Sequence, residues 1–203
     1  MQGACRLRFV TNALINLVVF AAVAFGGGLG SAWYMIEAGS RLSTRTFGPW
    51  TTWTAAGRPE ADPYTRAHTA RNGLLPVSST LQLSFRAKAD SSGSRLTSSC
   101  DYLVVLQDTE PAWWSLAVFD GQGKLVQNGA ERYAFNHHTA MREPDGRAAI
   151  VVARDARPGN WLPSGRSGRI VLVLTVQDAA FAAAVHDGGQ AKSLPTIQRT
   201  ACR

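Results

Sequence analysis

Leu81-Gln82-Leu83-Ser84-Phe85-Arg86-Ala87-Lys88 alternates apolar and polar side chains without a break. A period of two puts Leu81, Leu83, Phe85 and Ala87 on one face of an extended strand and Gln82, Ser84, Arg86 and Lys88 on the other. That is the pattern of a sheet with one buried and one wet face. Downstream, Asp90 to Ser94 reads as a turn and Tyr102 to Leu106 as a second apolar run. Trp113 to Phe119 is a third, ending in Asp120-Gly121-Gln122-Gly123 before Lys124 to Gln127, which together predict a hairpin. Ala148 to Arg154 and Arg169 to Gln177 are dense in Val, Ile and Leu and predict central strands. Short strands separated by turn signals predict a mainly β fold, an antiparallel sandwich or jelly roll.

Helical signals interrupt this pattern in few places. Asp62-Pro63 offers an N-cap followed by proline at the first helical position, and Asn72-Gly73 fits the terminus, so a helix is predicted over 63–72. The alanine-rich stretch Ala179 to Val185, with Asp178 as cap, predicts a second short helix. The third signal is of another kind. From Phe9 to Met35 no side chain is charged and most positions are Val, Ala, Leu, Phe or Gly. Roughly 20 apolar residues suffice to cross a bilayer, and Trp33 and Tyr34 stand where amphipathic rings favour the interface. The organisation predicted is a short tail at 1–8, a membrane span at 9–35, a linker at 36–49 and a β-rich domain at 50–203.

The direction of the span is poorly encoded by charge, because Arg41 and Arg45 follow it almost as closely as Arg6 and Arg8 precede it. The short basic tail favours a cytoplasmic N-terminus and a translocated C-terminal domain, giving a single-pass inner-membrane protein with a periplasmic domain. A cleaved signal peptide is the competing reading, with Gly30-Ser31-Ala32 as the small-residue site. The glycines Gly26, Gly27, Gly28 and Gly30 suit either close helix packing or a flexible helix end. Cys5 precedes the span while Cys100 and Cys202 follow it. An external domain would therefore hold one pair able to form a disulfide, the alternative being two separate buried thiols.

The net charge of +7, from 21 basic and 14 acidic residues, does not argue for nucleic acid. The basic residues are nearly all arginines scattered from Arg41 to Arg203, with no run or stripe, and no nucleic-acid partner is expected.

Several strings occur in the order typical of one family. They are Asp62-Pro63-Tyr64 with Arg66-Ala67, Cys100-Asp101-Tyr102, Trp113-Trp114-Ser115-Leu116 running to Phe119-Asp120, Asn128 with Glu131-Arg132-Tyr133, Asp145-Gly146, and Gly159-Asn160-Trp161-Leu162-Pro163. Over roughly Gly48 to Val176 the chain resembles the domain of unknown function numbered 1214. Its ending, Leu194-Pro195-Thr196-Ile197 with Cys202, resembles the short, membrane-anchored members of alphaproteobacteria. The resemblance implies an antiparallel, jelly-roll-like β domain often found beside a companion domain of unknown function numbered 1254, and implies no established reaction. After Thr175 the chain departs from the family pattern, with Val176-Gln177-Asp178 where Arg-Tyr or Tyr-Asp is usual.

The candidate ligand-binding residues are Tyr64, Arg66, Trp114, Asn128, Arg132, Asn160 and Trp161. Asn160-Trp161 pairs an amide with an indole, suited to sugars; the same string also reads as a turn in which Asn160 caps backbone groups and Trp161 packs inward. Arg66 and Arg132 beside aromatics suit a phosphate or carboxylate, or salt bridges with Asp62, Asp101 or Glu131. His137-His138 lacks further ligands at metal spacing, Gly165-Arg166-Ser167-Gly168 lacks the form of a nucleophile elbow, and Asp120, Glu143 and Asp145 sit in turn contexts where acids are expected anyway. No metal and no cofactor is expected. The function expected is a membrane-anchored domain that binds an envelope protein or glycan, with the companion-domain protein as candidate partner; the alternative is a hydrolase acting on an envelope polymer or small ester.

Overall fold

The computed structural model of the chain describes residues 2–39, 42–107, 113–166, 168–187 and 194–203, with the backbone alone for 2–11. Arg41, Ser167 and the side chains of Cys5, Arg6 and Arg8 therefore lie outside the description.

The N-terminal helix runs as α1 (Gln2–Ala21), passes through a π-helical segment, Ala22–Gly27, and ends as α2 (Gly28–Ala38). The π turn coincides with Gly26 and Gly27, where weak side-chain packing lets the ladder take an extra residue. Its apolar stretch Asn12–Ala38 spans 27 residues at mean hydropathy 2.0, and none of its most apolar window is buried against the rest of the protein. A helix this apolar and this uncovered is long enough to cross a membrane and fits a single-pass anchor.

The remainder is mainly β, in two sheets. The six-stranded sheet has the order β1-β2-β3-β9-β5-β6 and the four-stranded sheet β10-β4-β7-β8. In chain order the strands are β1 (Thr44–Phe47), β2 (Trp50–Trp53), β3 (Gln82–Ala87), β4 (Cys100–Leu106), β5 (Trp113–Asp120), β6 (Ala134–Asn136), β7 (Ala148–Ala153), β8 (Asn160–Pro163), β9 (Ile170–Gln177) and β10 (Thr196–Cys202). Helices α3 (Pro63–Arg71) and α4 (Ala179–His186) complete the domain. The alternation that opened the sequence decides the packing: Leu83, Phe85 and Ala87 are fully buried while Ser84 is exposed. They join Trp114, Leu116, Leu172 and Leu174 on one inner face, against Tyr102, Val104, Ile150 and Leu162 on the other. β9 lies between β3 and β5 and β7 between β4 and β8, both with dense apolar burial, as expected of central strands.

Both helix caps form as the residues dictate. The Asp62 carboxylate accepts from the amides of Tyr64 and Thr65 and from the Thr65 hydroxyl. Burial tends to raise its pKa, but these hydrogen bonds together hold it below the usual carboxylate value. Asp178 accepts from the Phe181 amide.

The structure departs from the sequence expectation in three places. First, the segment predicted as linker contains β1, which pairs with β2 across Gly48-Pro49, so the sheet begins at Thr44 rather than Trp50. Gly48, at φ 56°, supplies the left-handed residue such a two-residue loop needs. Second, Lys124–Gln127 is not a strand. Asp120 accepts from the Gln122 and Lys124 amides and turns the chain, but only one bridge, Phe119↔Leu125, follows, and β6 takes the place beside β5. Third, β7 and β8 run parallel, so the second sheet is mixed rather than antiparallel.

Cys100 and Cys202 are joined in a disulfide. It staples β10, an edge strand whose side chains are nearly all exposed apart from Ile197, to β4 in the core. The same segment is held at its other end, where the Trp50 indole N–H donates to the Pro195 carbonyl at 2.7 Å.

Candidate functional site

The structure separates the seven predicted site residues into three groups. Trp114 is core, 3% exposed between Leu116 and Val176; adjacent residues on a strand face opposite ways, and Trp113 is the one turned outward. Tyr64 and Arg66 lie on α3, where the Arg66 guanidinium donates to the Pro59 carbonyl at 2.7 Å rather than to a carboxylate. Asn128, Arg132, Asn160 and Trp161 do come together.

Within that third group most of the polar chemistry is spent on the fold. Asn160 is buried, and its amide accepts from the Met141 N–H and donates to the Met141 and Ala149 carbonyls. Asn128 accepts from the Arg132 N–H and donates to the Val126 and Arg132 carbonyls. That clamp closes a turn in which Glu131 adopts φ 50°, a left-handed conformation that a residue with a Cβ takes only when its surroundings impose it. Arg132 donates to the Trp161 carbonyl at 3.1 Å and lies over the Phe135 ring. The buried acid Asp101 is paired with Arg157, not with Arg66 or Arg132.

Trp161 is the exception. It is half-buried, not packed inward, and its indole N–H donates to the Ala153 carbonyl at 2.9 Å, which fixes the ring. The ring lines an open cleft of about 360 Å³ whose walls carry Arg154, Arg166, Asp155 and the Asn128 turn. Asp155 is paired with Arg203, and that arginine holds its carboxyl below the usual range.

A second concavity was not visible as a site in the sequence. Trp53 and His68 stack at 4.2 Å between centroids, and with Arg86 they line two adjoining cavities of about 610 and 290 Å³ on the outer face of the six-stranded sheet. His68 is buried on α3, and its Nδ1–H donates to the Ile36 carbonyl near the end of α2, 2.8 Å away. Burial holds its imidazole pKa below the ordinary value, outweighing the Ile36 hydrogen bond; Arg86 and Lys88 push the same way. Beside it Arg71 pairs with Glu37 at 2.9 Å and sits 3.7 Å from the Trp33 ring. Helix α3 is thus the contact through which the domain docks on α2. Alternation marked Arg86 as outward-facing, but what covers an outer face depends on packing between distant segments.

The acids and histidines weighed for chemistry are engaged locally. Asp145 and Glu143 flank Arg147, Asp120 caps its turn, and the His137 and His138 rings meet edge to face. Among the described residues no group of three or more His, Cys, Asp or Glu is placed to hold a metal ion.

Fold and site together define a two-sheet β domain carried behind an apolar helix. Residues 81–180, which run from the start of β3 into α4, match the family described as protein of unknown function (DUF1214), and the match supports placing the β domain in that domain family. In overall shape the chain is similar to the VPA0106 protein from Vibrio parahaemolyticus, with a TM-score of 0.59 at 16% identity over 91% of this chain and 45% of that one. It also aligns with a putative uncharacterized protein from Burkholderia cenocepacia at 22% identity and a TM-score of 0.41, over 60% of this chain and 30% of the other. At such identity the Vibrio likeness establishes the fold alone, and this chain spans less than half the length of either protein. No curated protein matches it in sequence.

Proposed function

We propose that the protein is a membrane-tethered, extracytoplasmic domain, periplasmic in location, that binds an envelope glycan at the Trp161 cleft without transforming it. One observation carries the reading: the Trp161 ring is held by its own N–H on the Ala153 carbonyl, its backbone carbonyl is held by Arg132, and the residue lines an open cleft with Arg154 and Arg166. A rigid aromatic face suits the apolar face of a sugar ring, and holding it in place before binding reduces the ordering cost. The two arginines favour a glycan bearing carboxylate or phosphate groups. The disulfide supports the extracytoplasmic placement, since such bridges persist in oxidising compartments. A hydrolase would need two titratable groups converging on a bond, and the acid in this cleft, Asp155, is instead held by Arg203. A companion protein carrying the domain numbered 1254 is a candidate partner on the family resemblance alone.

The test is titration of the full chain, in detergent, with size-fractionated anionic glycan from a bacterial envelope, followed by tryptophan fluorescence. Trp161→Ala is expected to weaken binding about tenfold, the equivalent of roughly 1.4 kcal/mol for a lost stacking platform, with Trp161→Phe intermediate. Unchanged affinity in Trp161→Ala would remove the cleft from the account, and turnover of the glycan would replace binding by hydrolysis.

A further inference from the structure

On the outer face of the six-stranded sheet, beside the end of α2, two basic side chains have no counter-charge among the described residues. Arg86 is half-buried, yet among the described residues its guanidinium has no hydrogen-bond or ion-pair partner. A guanidinium stays protonated even where burial disfavours its charge, and its five N–H donors are then left wanting acceptors. Lys88, two residues along and on the same face, also forms no ion pair among the described residues. The carboxylates that share the larger cavity are already taken: Glu37 by Arg71 at 2.9 Å and Asp90 by Arg199 at 2.8 Å. What remains is a basic hollow walled by the Trp53–His68 stack.

The adjoining cavity has the opposite character. It is lined by Leu74, Leu75, Pro76 and Val77, and Leu75 is 99% exposed. Leu74, Leu75 and Val77 are all exposed, and an apolar run of this kind next to a basic hollow suits a bilayer surface. The depth fits as well. Trp33 and Tyr34 stand near the end of α2, and Glu37 and Ala38, one turn further, line the basic cavity, which places it at headgroup level.

We propose that this groove binds an anionic phospholipid of the adjoining membrane, its phosphate on Arg86 and Lys88 and its acyl side along Leu74 to Val77. The proposal rests on the reading that α1 and α2 span the membrane, which is checked separately by resistance of the protein to alkaline extraction from membranes.

The test is native mass spectrometry of the full chain released from detergent, with phosphatidylglycerol, phosphatidylcholine or inorganic phosphate added. Wild type is expected to retain phosphatidylglycerol well over phosphatidylcholine. Arg86→Gln with Lys88→Gln should weaken the phosphatidylglycerol complex about 30-fold, the equivalent of roughly 2 kcal/mol for two basic residues. The charge-retaining pair Arg86→Lys with Lys88→Arg should keep most of it. Leu75→Ser, at a position folding does not depend on, should lower phosphatidylglycerol retention several-fold. Equal retention of the two lipids by wild type, or undiminished phosphatidylglycerol binding in the glutamine pair, would overturn the proposal. So would inorganic phosphate binding as tightly as the lipid, which would mark a site for a free oxyanion. A protein that washes off at alkaline pH would instead refute the membrane span itself.

Discussion

Replacing Cys100 and Cys202 together with alanine destabilises the domain by about 4 to 5 kcal/mol in denaturant unfolding of the full chain in detergent. The bridge closes a loop of 102 residues, and in the chain-entropy model a loop of about 100 residues contributes on that order by restricting the unfolded chain. The folded state gives a second reason to expect a large effect. β10 lies at an edge, is mostly exposed, and its pairing with β4 is broken by a bulge between Arg199 and Ala201. Beyond that bulge only the Ala201–Asp101 and Cys202–Cys100 pairs and the Arg203 amide's bond to the Ser99 carbonyl remain, so without the covalent link the last residues should fray first and lose amide protection ahead of the rest. A loss under about 1 kcal/mol would mean that the edge strand holds by its hydrogen bonds alone.

The second large effect is expected at Trp50, which has no exposed surface and lies in the core although β2 is the second strand from the sheet's edge. Trp50→Ala should cost about 3 to 5 kcal/mol, the range for large aromatic deletions in close-packed interiors. Part of that loss has a specific origin, because the indole N–H is the donor for the Pro195 carbonyl and Pro195 is itself buried. Trp50→Phe isolates it: the ring volume is largely kept, and a cost of about 1 to 3 kcal/mol measures the carbonyl left without its donor. Trp50 and the disulfide restrain the same C-terminal segment from opposite ends. Combining Trp50→Ala with loss of the bridge should therefore destabilise by less than the sum, measured by the same unfolding transitions.

Much of the fold could be read locally because it is locally encoded. The unbroken alternation of Leu81 to Lys88 admits one buried face, and Leu83, Phe85 and Ala87 occupy it, whereas Leu81, expected there too, precedes the first residue of β3 and is exposed. Asp62-Pro63 and Asp178 start helices because their side chains supply acceptors that the first amides lack. β1 carries no local signal because Thr-Arg-Thr-Phe has no apolar period; it is a strand because β2 offers it a partner across Gly48-Pro49. Lys124 to Gln127 failed for the converse reason, since its turn signal is genuine but the edge of β5 is taken by β6, which the sequence gives no means of ranking.

The candidate sites were legible to a lesser degree. Asn160 and Trp161 form one candidate pair in the sequence, and the structure divides them, with Asn160 committed to Met141 and Ala149 and Trp161 lining the cleft. Trp114 and Trp113 cannot be told apart without knowing which face of β5 is inside. The Arg86 groove needed three segments distant in sequence, the end of α2, α3 and β3, to be seen in one place. No local pattern reports such convergence, and an arginine on a wet face looks the same in the sequence with or without a partner.

The glycan and phospholipid proposals share one premise, that the apolar helix spans a membrane and the β domain docked on it through His68 and Arg71 sits at the outer surface of that membrane. It is tested most directly by fusing a reporter to Arg203 of the full chain in cells, using in parallel a phosphatase active only outside the cytoplasm and a fluorescent protein that matures only inside it. The account predicts phosphatase activity in the membrane fraction and a dark fluorescent fusion. A bright fusion with an inactive phosphatase would put the domain in the cytoplasm and contradict it.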